Sequence, residues 1–151
     1  MSTSMDTRPP TFYAAAYVVL RKGEKILLIH RTHTGFMDDH WGLPSGHIEG
    51  AESVNEAARR EAQEEVGVVL REDEMKLAHV MHRPSSSGRI YFDFFFTAHS
   101  WSGEIQNGEP DKHAKVEWFP LDALPKNIIP YLGRTLERIQ NGVLFSEDIH
   151  E

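Results

Sequence analysis

Cysteine is missing from all 151 residues, which excludes disulfides, thiolate-bound metals and cysteine nucleophiles and points to a reducing compartment. The N-terminal stretch Met1 to Pro10 lacks the apolar segment of a signal peptide or membrane anchor, being polar and proline-bearing. A cytoplasmic protein with no membrane partner is expected. Positive charge is in short supply: 16 Lys and Arg against 23 Asp and Glu leave a formal net charge of -7. That balance repels a phosphate backbone and argues against long nucleic acids as partners. A small anionic substrate meets the same repulsion, so phosphate binding would need cations brought in locally, as metal ions or a few arginines. Internal repeats and low-complexity tracts are absent as well.

What is present suits one globular domain: hydrophobic residues make up 40% of the chain and charged residues 26%. The expected organisation is a disordered tail over 1–11, a single domain over 12–142 and a C-terminal tail over 143–151. Tyr13 to Leu20 and Lys25 to His30, joined by a charged turn at Gly23, read as a hairpin. Arg31 to His40 reads as a loop of the length that often serves a site. Met75 to Met81 and Arg89 to His99 read as a second hairpin around Pro84 to Gly88, with Ile90, Phe92, Phe94 and Phe96 on one face and Tyr91, Asp93, Phe95 and Thr97 on the other. Another strand is expected over Lys115 to Phe119 and a last helix over Pro130 to Gln140, where Leu132, Leu136 and Ile139 recur at helical spacing.

The chemistry is concentrated between Gly46 and Val68. Ser53 and Glu56 make a capping box that starts a helix, and Gly67 can close it in the left-handed conformation. At about 100° per residue, Glu64 and Glu65 fall about 60° and 40° to either side of Glu61, so three carboxylates share one narrow face. Like charges at this spacing repel, whereas a helix built only to fold would alternate signs. A divalent cation is the natural remedy. Oxygen-only ligands point to Mg²⁺ or Mn²⁺, which leave positions for water and substrate phosphates.

These residues, Gly46, Glu52, Arg60, Glu61, Glu64, Glu65 and Gly67, resemble the Nudix box, G-x5-E-x7-R-E-U-x-E-E-x-G-U with U aliphatic. All seven fixed letters match, a coincidence on the order of 10⁻⁸ per starting point at average residue frequencies. Val68 fills the last aliphatic position and Ala62 is small where the family favours a larger residue. The resemblance extends over Tyr13 to Gln140. It implies an α+β Nudix fold, an α/β/α sandwich with a mixed sheet, and water attack on a diphosphate linkage. It further implies Glu61, Glu64, Glu65 and the carbonyl of Gly46 as metal ligands, with Arg60 orienting them and Glu52 supporting through Arg60. Glu64 or Glu61 would accept the proton of the attacking water.

Outside the box several readings stay open. Arg31 could clamp a phosphate or be a surface charge. Tyr131 could stack on a base, as could Phe95, although a core role is the default for any single phenylalanine. His47 reads as an ordinary loop histidine, Asp93 as facing a cleft or solvent, and one of Glu109, Asp111 and His113 as adding to the site. No paired aspartates accompany Ile128 to Tyr131, which disfavours oxidised guanine nucleotides. The expected activity is hydrolysis of a phosphoanhydride in a small nucleotide derivative, a nucleoside triphosphate included, by a chain that can also form a homodimer. The alternatives are a nucleotide-binding or regulatory module without catalysis, which an intact box opposes, and an RNA 5′-end pyrophosphohydrolase, which the acidic balance opposes.

Overall fold

The computed structural model describes residues 5–85 and 87–148. Strand β1 (Phe12–Lys22) turns at Gly23, whose φ is 60°, into antiparallel β2 (Lys25–Arg31). Two short strands, β3 (Trp41–Gly42) and β4 (Ser45–His47), precede helix α1 (Val54–Val66). After a 3-10 turn at Glu72–Glu74 come β5 (Met75–Pro84), β6 (Ile90–Ala98), β7 (His113–Pro120), helix α2 (Pro130–Gln140) and β8 (Phe145–Glu147).

The strands form one mixed sheet in the order β3-β2-β1-β6-β5-β8, with β4 pairing β1 and β7 pairing β2. β1 is its hinge. Only its last residues, Arg21 and Lys22, pair with β2, while its length runs parallel to β6 from Phe12↔Ile90 to Leu20↔Ala98. Alternation along β1 then feeds two cores. Ala16, Val18 and Leu20 pack with Ala57, Ala58, Ala62 and Val66 of α1. Ala15, Tyr17 and Val19 pack with Tyr131, Leu132 and Leu136 of α2. Each fully buried aliphatic side chain contributes roughly 1.5–3 kcal/mol on either face. Helix, sheet and helix are therefore the α/β/α sandwich that the resemblance implied. The alanines of α1 have no exposed surface, so Ala62, small for its place in the box, is the size the contact demands. Neither helix is long and apolar enough to cross a membrane.

Three features depart from the reading of the sequence. Asp93, for which solvent was one option, is completely buried. β5 extends past Met81 to Pro84, which carries Arg83 onto the α2 face, into the same core region as Asp93. Phe145–Glu147, assigned to the C-terminal tail, pair in parallel with β5 as its outer neighbour. Buried His79 of β5 fastens this strand, one ring nitrogen lying 2.7 Å from the Val143 carbonyl and the other 2.7 Å from Ser146 Oγ. Nothing local marks a histidine 67 positions away as the anchor of a strand. Of the N-terminal tail, residues 5–11 are exposed and carry no helix or strand, and residues 1–4 lie outside the described residues.

Candidate active site

Helix α1 begins where Ser53 Oγ accepts from Glu56 N at 3.0 Å and ends at Gly67, φ 76°, whose N–H returns to the Gln63 carbonyl. These stops hold the Glu61, Glu64 and Glu65 face against β4. Glu61 reaches Gly46 so closely that a Cβ at position 46 would overlap its carboxylate and lie 2.9 Å from its Cγ. Glycine at position 46 therefore leaves the Glu61 carboxylate its present place, which any larger residue would force it to give up. Glu65 Oε2 accepts from Ser45 N at 2.7 Å, and its Oε1 lies 4.0 Å from His113 Nε2.

Arg60 ties the face together. Its Nη2 donates to Glu52 Oε1 at 2.8 Å and to the His47 carbonyl at 3.1 Å, and its Nε donates to Glu52 Oε2 at 3.1 Å. Its Nη1 donates to Glu61 at 2.8 Å and to Glu64 at 3.3 Å. The bond to Glu52, ahead of those to Glu61, holds the guanidinium still more firmly protonated than usual. Glu52 answers with a lowered pKa, chiefly from Arg60 and then from Glu49 N.

One arginine does not neutralise the cluster. Burial raises the Glu61 carboxyl above its ordinary range against the pull of Arg60, and Glu64 and Glu109 repel it further. Burial raises Glu65 further still, with Glu61 and Glu109 adding repulsion and Ser45 N opposing. A pocket of about 480 Å³ opens here, lined by Glu61, Glu64, Glu65, Glu109 and His113 among others. Buried carboxylates held above their ordinary pKa, in a pocket lined by glutamates and histidines with no thiolate, fit a hard divalent cation. Among the described residues no three acidic or histidine side chains are already closed around one point. Arg60 instead takes oxygens of both Glu61 and Glu64.

Arg31, Ser45 and Gly46 line this pocket and also a second, larger cleft of about 820 Å³. Arg31 is held there by its own loop, Nε on the Phe36 carbonyl at 2.9 Å and Nη2 on Thr34 Oγ1 at 3.0 Å. Asp38 in turn accepts from Thr34 N, Thr34 Oγ1 and Gly35 N. The loop thus fixes the Arg31 guanidinium where the two cavities meet.

A model of the NUDIX domain matches residues 10–139. The chain belongs to the NUDIX domain family. Among its NUDIX relatives is an ADP-ribose pyrophosphatase from Methanocaldococcus jannaschii, 34% identical over 72% of this chain and 62% of the relative. An NAD-capped RNA hydrolase from Pseudomonas aeruginosa is 31% identical over 77% of this chain and 39% of its own length. The chain thus spans less than two thirds of either relative. The crystal structure of a MutT NUDIX hydrolase from Burkholderia pseudomallei superposes with a TM-score of 0.77 and 30% identity, covering 85% of this chain and 98% of that one.

Within this NUDIX domain the box residues Gly46, Glu52, Arg60, Glu61, Glu64 and Glu65 come together. Glu109 and His113 join them in the acidic pocket, while Asp111 is exposed on the same loop. Tyr131 lines the large cleft, and Phe95 is a core residue stacked on Tyr17 at 4.5 Å. His47 lines the cleft and gives its carbonyl to Arg60. Tyr17 and Arg83, which also line the cleft, went unnoticed in the sequence because each lies in an ordinary strand pattern.

Proposed function

We propose that this chain is a pyrophosphohydrolase of small nucleotide derivatives that works with Mg²⁺ or Mn²⁺. The observation that carries the reading is the junction of an acidic pocket with a larger cleft through a wall shared by Arg31, Ser45 and Gly46. A diphosphate placed at that wall puts its linkage beside the glutamates and its organic part in the cleft. The relative named for ADP-ribose supports the small-nucleotide class, and the one named for NAD-capped RNA supports pyrophosphohydrolysis of nucleotide derivatives in general.

Glu61, Glu64, Glu65 and the Gly46 carbonyl would hold the cation, with Glu109 within electrostatic reach of Glu61 and Glu65. When bound, the cation offsets phosphate charge and lowers the pKa of water. Arg31 binds a phosphate oxygen. Arg60 positions Glu61 and Glu64 and touches no substrate. Glu64 accepts the proton of the attacking water: its side chain is 53% exposed, against 12% for Glu61 and 13% for Glu65, so it is the carboxylate that water reaches most readily. Glu61, the other option, is more tightly bound to Arg60.

The test is a nucleotide panel incubated with Mg²⁺ or with EDTA while phosphate and pyrophosphate release are followed. Turnover of at least one substrate with Mg²⁺, none with EDTA and a loss of about 10²-fold or more in kcat for Glu64→Gln are expected. Turnover unaffected by EDTA would overturn the cation assignment, and unchanged kcat in Glu64→Gln would overturn the choice of base.

A further inference from the structure

The acidic pocket carries one buried nitrogen donor among its carboxylates, and an irregularity in the sheet puts it there. Along β2 and β7 the pairs run Ile29↔Val116 and His30↔Lys115, so a regular ladder would set Ala114 opposite Arg31. The register shifts at that point, and His113 takes the place instead. A bulge of this kind turns a side chain onto the other face of its strand. His113 thereby leaves the face of Lys115 and shares that of Ile29 and Val116, which pack toward α1.

The loop ahead of β7 is pinned to the end of α1. Gln106 N donates to the Val66 carbonyl at 3.0 Å and Gly108 N to that of Glu65 at 2.9 Å, and a Cβ on Gly108 would overlap the Glu64 carbonyl. The His113 main chain donates to the Glu109 carbonyl at 2.9 Å and accepts from Asn107 Nδ2 at 2.7 Å. These bonds hold the imidazole beside Glu65, with Nε2 4.0 Å from Glu65 Oε1.

The ring gains no hydrogen bond from this placement. Its side chain is 4% exposed, Nδ1 has no hydrogen-bond partner among the described residues, and 4.0 Å is beyond hydrogen-bond reach for Nε2. A buried polar group left so is costly, and an apolar side chain would serve folding better. Two donors bound to one cation at about 2.1 Å each, by contrast, stand about 3–4 Å apart, which is the spacing of His113 and Glu65. The glutamates, which do not converge on one point among the described residues, have the side-chain freedom to close on a cation beside the ring. Glu109, whose carboxylate meets Lys112 Nζ at 3.4 Å, lines the same pocket, and the pocket's other histidine, His33, is exposed.

We infer that His113 Nε2 is a nitrogen ligand that joins Glu65 in holding the cation, so that the site prefers a transition-metal ion such as Mn²⁺ to Mg²⁺. Mg²⁺ is a hard ion served by oxygen donors, whereas imidazole suits first-row transition ions. The oxygens of Glu61, Glu64 and Gly46 serve either. The inference rests on the proposed cation-dependent hydrolysis for the role of Glu65.

The test titrates Mn²⁺ and Mg²⁺ separately into the whole metal-free protein by calorimetry and examines the Mn²⁺ complex by electron spin echo envelope modulation. The native protein is expected to bind Mn²⁺ about tenfold or more tightly than Mg²⁺ and to show the ¹⁴N modulation of a bound imidazole. In His113→Leu, with cooperative melting in EDTA as the check on folding, the modulation should vanish and the preference shrink about tenfold. His33→Asn, which suits the left-handed backbone at that position, should change neither. Mn²⁺ uptake by the native protein without ¹⁴N modulation would overturn the inference even where His113→Leu fails to fold. So would modulation or preference unchanged in folded His113→Leu, or modulation lost in His33→Asn. Uptake of neither ion would overturn it together with the cation assignment. Modulation that depends on His113, in a protein whose nucleotide turnover ignores EDTA, would overturn the metal-dependent hydrolysis alone.

Discussion

Glu65→Gln should make the metal-free protein more stable and the enzyme useless. Glu65 is the most strained member of the cluster: its side chain is 13% exposed, burial raises its pKa well above the carboxylate range, and Glu61 and Glu109 repel it. Unlike Glu61 it has no bond to Arg60; its hydrogen-bond donor is Ser45 N at 2.7 Å, which a glutamine oxygen can keep. The substitution thus removes a buried, repelled charge, keeps the bond from Ser45 N and gives up only the 4.0 Å approach to His113 Nε2. A gain on the order of 1 kcal/mol is typical when strain at a functional site is relieved. For a chain of this length it corresponds to a rise of about 3 °C in Tm. With Mg²⁺ the order should reverse. A ligand at about 100 times its Kd adds about 2.7 kcal/mol to the native protein, or about 8 °C, and the variant lacks one of the carboxylates proposed to hold the cation. Differential scanning calorimetry in EDTA and in Mg²⁺ reads both arms. A variant no more stable than the native chain in EDTA, or one that gains as much from Mg²⁺, would refute the reasoning.

Other outcomes follow from the same geometry. Gly46→Ala should leave the fold intact by circular dichroism and lower kcat about 10²-fold, because the new Cβ displaces the Glu61 carboxylate. Arg60→Gln should lower Tm by about 6 °C, since roughly 2 kcal/mol is lost when the donor to Glu52, Glu61 and Glu64 goes; an unchanged melting curve would show that the clamp is not structural. In pH titrations without metal, Glu61, Glu65 and Asp93 have raised pKa values in the folded state. Their contribution to stability is complete below the ordinary carboxylate range and is lost as pH rises through the raised values. Urea midpoints measured upward from that range should therefore show it falling, with Mg²⁺ restoring part of the loss. His113, lowered by burial, acts at the other end of its own range: it costs stability as pH falls below the usual histidine value.

Local sequence determined a good deal of this protein. The caps at Ser53 and Gly67 and the three glutamates at helical spacing depend on contacts within a few residues, and period and propensity report such contacts directly. Alternation likewise reported the faces of β6, placing Phe94 and Phe96 on the α1 side and Asp93 and Phe95 on the other. Only the tertiary structure decided the cleft. Tyr17 from β1, Arg83 from β5 and Tyr131 from α2 meet because a parallel β1–β6 pairing and the β5–β6 hairpin bring distant strands beneath one helix. No pattern along the chain encodes that meeting. The same holds for His79 and β8, and for the burial of Asp93, since a charged residue in a strand reads as exposed until its partner is known. The acidic patch is a property of one helix and its loop, whereas the wall of the large cleft arises from long-range packing.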